Sequence, residues 1–148
     1  MGRMKGEVQV SSMKDRKEVP WDIRERTFEY GLRAIRLFRY LEDKQDRAGW
    51  VVAKQYLRAA TSIGANLEEA LHGESRADFV HKYGIAQKEA RESLYWLRLL
   101  TDSETLPRDR VQPLIKETEE IILVITTIIL RAKRKPRHEN RASVESSE

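Results

Sequence analysis

Residues Gln55 to Leu100 read QYLRAATSIGANLEEALHGESRADFVHKYGIAQKEARESLYWLRLL, two apolar patterns broken at His72-Gly73-Glu74-Ser75. Before the break Tyr56, Ala59, Ala60, Ile63 and Leu67 recur at steps of three and four. After it Phe79, Tyr83, Ala86, Ala90, Leu94 and Leu97 do the same, with Trp96 and Leu100 widening the stripe. That period belongs to a helix with one buried face. Gly73 is placed to stop the first helix in a left-handed turn, and Ser75-x-x-Asp78 offers a cap for the second. The stretch therefore predicts an antiparallel helical hairpin, and the Ala, Ser and Gly residues of its first arm let a neighbouring helix come close.

Working outward, Asp22-x-x-Glu25 follows Pro20 and resembles a capping box, so a helix over about 22–43 is predicted. Phe28, Leu32, Ile35 and Phe38, with Ala34 and Leu41 beside them, form its apolar stripe. Arg26, Arg33, Arg36 and Arg39 fall on its other side, either as a solvated surface or as a patch that faces phosphates. Asp43 to Gly49 reads as a polar connection, which starts the second helix near Trp50 and gives it the span 50–71; the third is expected over 76–101.

Pro107 suits a first helical turn, and Val111, Leu114, Ile115, Thr118, Ile121, Ile122, Ile125, Ile128 and Ile129 continue a helical stripe to about residue 134. The β-branched density of the run Ile121 to Leu130 argues for a strand. Glu117, Glu119 and Glu120 before it, Arg131 to Arg134 after it, and the absence of Gly or Pro within it argue for a helix, which is the reading adopted. Leu123, Val124 and Leu130 widen the apolar arc beyond one stripe, so this helix is either central in a monomer core or contributes those three residues to an oligomer interface. The fold class is thus all-α: an up-down four-helix bundle over residues 21–134.

Composition agrees. With 148 residues, 40% hydrophobic content and only seven Gly and four Pro, the chain suits one helical domain with a single core. No cysteine is present, which removes disulfides and thiolate metal sites, and no apolar run opens the chain, so a cytoplasmic location is the default. The longest apolar run, Ile121 to Leu130, is far shorter than the roughly 20 residues a membrane span needs. Residues 1–20 and 135–148 lack apolar periodicity and are expected to be disordered tails. Arg131, Lys133, Arg134, Lys135, Arg137 and Arg141 stand against Glu139 alone, a local charge of +5 in a chain of net +4. This cluster is either a solubilising tail or a sequence-blind phosphate contact.

Three motif groups carry a resemblance: Leu57-Arg58-x-x-x-Ser62-Ile63-x-x-Asn66-Leu67-x-Glu69, Ser75-x-x-Asp78-Phe79, and Ala86-x-x-x-Ala90-x-Glu92-Ser93 running into Trp96-Leu97. They resemble the bacterial four helix bundle protein family. That family includes proteins encoded in intervening sequences of large-subunit ribosomal RNA genes and the accessory variability proteins of diversity-generating retroelements. Many relatives have Gly where this chain has Ala70. The resemblance implies an antiparallel bundle that assembles into a homopentameric ring, and, for the retroelement subgroup, binding of RNA or DNA and of a reverse transcriptase through basic surface.

Chemistry-bearing patterns are few. Ser62, Asn66 and Glu69 share one side of the second helix and could build a buried polar network, with Arg58 or Arg91 as cations for Glu69 or Glu92. Glu69-x-x-His72 and Asp78-x-x-His81 have the spacing of half a di-iron motif, but such a site needs acids from two further helices and the first helix offers none on its apolar stripe. No phosphate loop or nucleophile–base motif occurs. The aromatic side chains read as core, with Tyr40 and Trp50 as the exceptions that could stack on bases. No cofactor, metal or membrane partner is expected. Two functions follow: a non-enzymatic, oligomeric nucleic-acid-binding accessory protein, or a protein-docking scaffold ring with no nucleic-acid role.

Overall fold

The computed structural model describes residues 22–134, which form four helices: α1 (Ile23–Glu42), α2 (Arg47–Leu71), α3 (Arg76–Asp102) and α4 (Arg108–Lys133). Short connections at alternate ends make the bundle antiparallel and up-down. Three of the four helix starts have a side-chain cap. Asp22 accepts a bond from the Arg24 amide at 3.0 Å, and Ser75 accepts one from the Asp78 amide at 3.1 Å, as the sequence predicts. The second helix starts three residues before Trp50, because Asp46 is a cap: its carboxylate accepts from the Gly49 amide at 3.0 Å. Gly49 suits that position, since a β-carbon would lie 2.5 Å from Thr105 Cγ2 and 2.7 Å from Asp46 Oδ2 and both side chains would have to shift.

Two helix ends differ from expectation. No glycine among the described residues has a positive φ, so Gly73 does not close α2 in a left-handed turn. His72 and Gly73 instead donate their amides to the carbonyls of Glu69 and Ala70, and the missing β-carbon spares a 3.2 Å contact with the Ala70 oxygen. The left-handed residue is Glu104, with φ 62°, at the end of α3. The chain reverses there, the Leu106 amide bonds back to the Leu100 carbonyl at 3.0 Å, and the Leu106 side chain enters the core.

The core confirms the stripes of α2, α3 and α4. Tyr56, Ala59, Ala60, Ile63 and Leu67 of α2, Ala86, Ala90 and Leu97 of α3, and Ile121 and Ile125 of α4 are wholly enclosed. The run rich in isoleucine is helical because seven of its turns' inward positions, from Val111 to Ile129, bury against the bundle. Pro113 lies within α4, where its ring leaves the carbonyl of Asp109 without the usual helical donor.

The stripe of α1 is corrected. The buried residues are Ile23, Thr27, Tyr30, Ala34 and Leu41, whereas Phe28 is 66% exposed and Leu32 and Ile35 are half-buried. The inward face therefore lies one position off the most apolar one, and it is polar-tipped. Tyr56 donates its hydroxyl to that of Tyr30 at 3.0 Å, Tyr30 meets Thr118 Oγ1 at 2.6 Å, and Thr118 donates to the Leu114 carbonyl at 2.7 Å. Because Thr118 spends its proton on Leu114, Tyr30 must donate to Thr118, and the chain of hydroxyls has a single consistent direction. Thr27 packs against Gly64, where a β-carbon would come within 3.3 Å of its hydroxyl, and this close approach holds α1 on α2. Burial holds the Tyr30 phenol above its ordinary pKa and that of Tyr56 well above it.

Candidate nucleic-acid interface

α1 packs mainly on α2 and α4 mainly on α3, while α1 and α4 meet over a shorter stretch. At the end of the bundle that carries the α3–α4 connection they flank a cleft of about 300 Å³. Its floor is apolar, made by Leu37 of α1, Leu106 and Pro107 of the connection, and Val111 and Leu114 of α4. Its rim is cationic: Arg33 and Arg36 from α1 and Arg110 from α4, with the ring of Tyr40 between them. Arg33, Arg36 and Tyr40 sit on one side of α1 through steps of three and four, and the first turn of α4 brings Arg110 across to them.

The electrostatics of the cleft are one-signed. No carboxylate of the described residues forms an ion pair with Arg33, Arg36, Lys44 or Arg110. Lys44 Nζ stands 4.3 Å from the centre of the Tyr40 ring and the Arg110 guanidinium 5.7 Å from it, both within cation–π range. The Lys44 ammonium beside the Tyr40 phenol, with the charge of Arg110, holds it below the ordinary tyrosine value. Burial pushes Tyr30 and Tyr56 the other way, so the Tyr40 environment is set by cations.

The remaining arginines of α1 divide. Arg39 is exposed beside the cleft without lining it. Arg26 is committed elsewhere: its Nε donates to Glu117 Oε1 at 2.6 Å and its Nη2 to Glu117 Oε2 at 3.0 Å, and it also bonds Glu120. Arg26 thus clasps α1 to α4, which sets it apart from Arg33, Arg36 and Arg39 as a phosphate ligand. Arg131, Lys133 and Arg134 close the far end of α4, so they lie at the opposite end of the subunit from the cleft. Lys135 and Arg137 lie outside the described residues.

The polar positions of α2 do not assemble into one buried network. Ser62 bonds back to the Arg58 carbonyl at 2.7 Å and Asn66 to the Ser62 carbonyl at 2.8 Å, both local helix contacts, while Glu69 is exposed and pairs with Lys82 and not with an arginine. Arg58 does pair with Glu92, and with Glu89 at 3.5 Å; Arg91 is exposed. The Trp96 indole donates to Glu92 at 3.1 Å and, with Arg58, holds that carboxyl below its ordinary value. The buried network is the Tyr56–Tyr30–Thr118 chain, which no spacing rule reveals because its members are distant in sequence. His72 and His81 are exposed. Among the described residues no three His, Asp or Glu side chains converge as metal ligands, and no helix is long and apolar enough to cross a membrane.

Large apolar side chains remain on the surface. Leu123 and Leu130, one heptad apart on α4, are 68% and 57% exposed, whereas Val124 packs partly against the core. Phe28 borders a second cavity of about 270 Å³ between α1 and α2, lined by Gly31, Leu32, Ile35, Gly64 and Ala65. Trp50 leans on Phe38, with ring centres 6.4 Å apart, and carries Lys54 at 4.6 Å.

Residues 21–127 match the family model described as 23S rRNA-intervening sequence protein. A solved crystal structure from Bacteroides thetaiotaomicron, described as a protein with unknown function from the S23 ribosomal protein family, is 38% identical. It superposes with a TM-score of 0.69, over 73% of this chain and 98% of the other. No curated protein matches the chain.

Proposed function

The chain belongs to the 23S rRNA-intervening sequence protein family, and from that premise we propose that it is a non-enzymatic, oligomeric nucleic-acid-binding accessory protein whose principal contact is the cationic cleft between α1 and α4. The observation that carries this reading is the set of Arg33, Arg36, Lys44 and Arg110 around Tyr40, with no ion-pairing carboxylate among the described residues. Four cations held together repel one another, which destabilises the fold locally. A polyanion offsets that repulsion and gains further from counterion release.

The exposed leucines of α4 support the oligomeric part of this reading. Leu123 and Leu130 are too exposed for a lone bundle to hide, and a ring of subunits that covers them repeats the cleft around its circumference. Repeated weak sites on one polymer then bind far more tightly than one site. The finer assignment, an accessory variability protein that presents nucleic acid to a reverse transcriptase, also needs a face for that protein; the groove beside Phe28 is suited to it.

The test is titration of labelled structured RNA and duplex DNA with the intact protein, an Arg33→Ala/Arg36→Ala/Arg110→Ala variant, and a chain truncated after Leu130, each at two salt concentrations. The expected result is affinity that falls steeply with salt, with the slope of log K against log salt reduced by roughly 0.7–0.9 for each phosphate contact the triple variant loses. Absence of binding at low salt overturns the reading and leaves a protein-docking scaffold.

A further inference from the structure

The cleft has a composition that a phosphate-only contact does not need. A surface that binds duplex through its backbone requires cations along a ridge or groove and nothing apolar between them. Here the cations stand around a concavity whose accessible apolar lining is Leu37 and Pro107 beside the Tyr40 ring, with the buried Leu106 and Val111 beneath them. A duplex keeps its base faces inside its own stack and cannot offer them to such a floor, whereas the unstacked nucleotides of a single strand or loop can.

Resting on the nucleic-acid reading above, we infer that the cleft takes an unpaired nucleotide, with its base on the apolar floor against Tyr40 and its phosphate among Arg33, Arg36 and Arg110. The geometry suits the exchange this requires. The Arg110 guanidinium is 5.7 Å from the Tyr40 ring centre, near the roughly 6 Å limit at which cation–π attraction counts. A base that takes its place against the ring therefore displaces little, and the guanidinium it releases is already at the rim where the phosphate arrives. Lys44, closer at 4.3 Å, remains against the phenol. The preferred ligand is a single-stranded or looped segment, with little base discrimination, because ring stacking accepts every base.

Electrostatics alone predicts the reverse preference. Duplex carries the higher charge density and releases more counterions per contact, about 0.9 against 0.7 per phosphate, so a purely cationic surface binds duplex more tightly. The experiment compares a 12-nucleotide single strand with a duplex of the same length at one salt concentration, using native protein, Tyr40→Ala and Tyr40→Phe. A 2-aminopurine in the strand gives a second readout that needs no variant. The expected result is tighter binding of the single strand, a changed 2-aminopurine emission at saturation, and loss of about 5- to 150-fold in single-strand affinity for Tyr40→Ala, with duplex affinity and the Tyr40→Phe variant little affected. Duplex bound as well as or better than single strand, with unchanged base emission, overturns the inference and leaves the nucleic-acid reading standing. Failure to bind either ligand at low salt overturns both.

Discussion

Replacing Tyr30 by Phe removes one oxygen from the centre of the buried hydroxyl chain and changes nothing else in volume or shape. Two hydrogen bonds vanish, those at 3.0 Å from Tyr56 and 2.6 Å to Thr118. The Tyr56 hydroxyl, in a wholly enclosed side chain, then becomes a donor with no acceptor. At about 1 kcal/mol for each net bond and roughly 1–3 kcal/mol for an orphaned buried donor, the loss comes to about 3–5 kcal/mol. For a domain of this size it lowers the melting temperature by roughly 10–20 °C. Thermal or urea denaturation at one fixed protein concentration measures it, since an oligomer's stability depends on concentration. Tyr56→Phe, at the head of the chain, orphans no proton and is expected to cost only about 1 kcal/mol. The direction of the chain adds a sharper test: in the Tyr30→Phe background, Tyr56→Phe removes the orphaned donor and is expected to be neutral or stabilising. Two single variants of equal cost whose effects add would refute the directed chain.

Four other outcomes are expected. Because burial raises the pKa of Tyr30 and Tyr56, the folded state keeps these protons longer than the unfolded one; stability is full below the ordinary tyrosine value and falls as pH rises through and above it, by about 1.4 kcal/mol per unit for each tyrosine, and Tyr56→Phe flattens this alkaline slope in urea titrations. Gly49→Ala brings a β-carbon 2.5 Å from Thr105 Cγ2 and costs about 1–3 kcal/mol of unfolding free energy despite the better helix propensity of Ala, with partial recovery in Gly49→Ala/Thr105→Ser. Arg26→Ala leaves Glu117 half-buried beside Glu120 without a cation and costs about 2–3 kcal/mol in denaturant melts; adding Glu117→Gln recovers part of it. Leu123→Lys/Leu130→Lys shifts the sedimentation profile to smaller species with the helical circular dichroism unchanged, and an unaltered profile removes these residues from the interface.

Most of the bundle was legible because its helices obey local rules. The caps Asp22 and Ser75 are set by residues two or three positions away, and the stripes of α2 and α3 are the only apolar faces those helices possess. α1 was misread because it has two candidate faces. Phe28, Leu32 and Ile35 make the more apolar one, yet Thr27 and Tyr30 face inward, since Tyr30 finds hydroxyls 26 and 88 residues away and Thr27 finds the space left by Gly64. Those partners belong to tertiary structure, which periodicity does not encode. Asp46 does not stand out as a cap because it lies inside the polar run Asp43 to Gly49, and the left-handed turn falls at Glu104 after α3, where no glycine marks it, instead of at Gly73 after α2. Of the candidate site, the cationic character of Arg33 and Arg36 was visible. Their meeting with Arg110 was not, for it depends on the packing of α4 beside α1 in the tertiary fold.

The up-down path of the chain places its two cationic groups at opposite poles. Arg110 opens α4 and Arg131 closes it, so at about 1.5 Å per residue they stand roughly 30 Å apart along one rigid rod. A duplex that reaches from one pole to the other must cover that length, about nine base steps at roughly 3.4 Å each. The subunit is in effect a ruler: duplexes shorter than about nine base steps can occupy only one pole at a time, and duplex affinity plotted against length should show its break there.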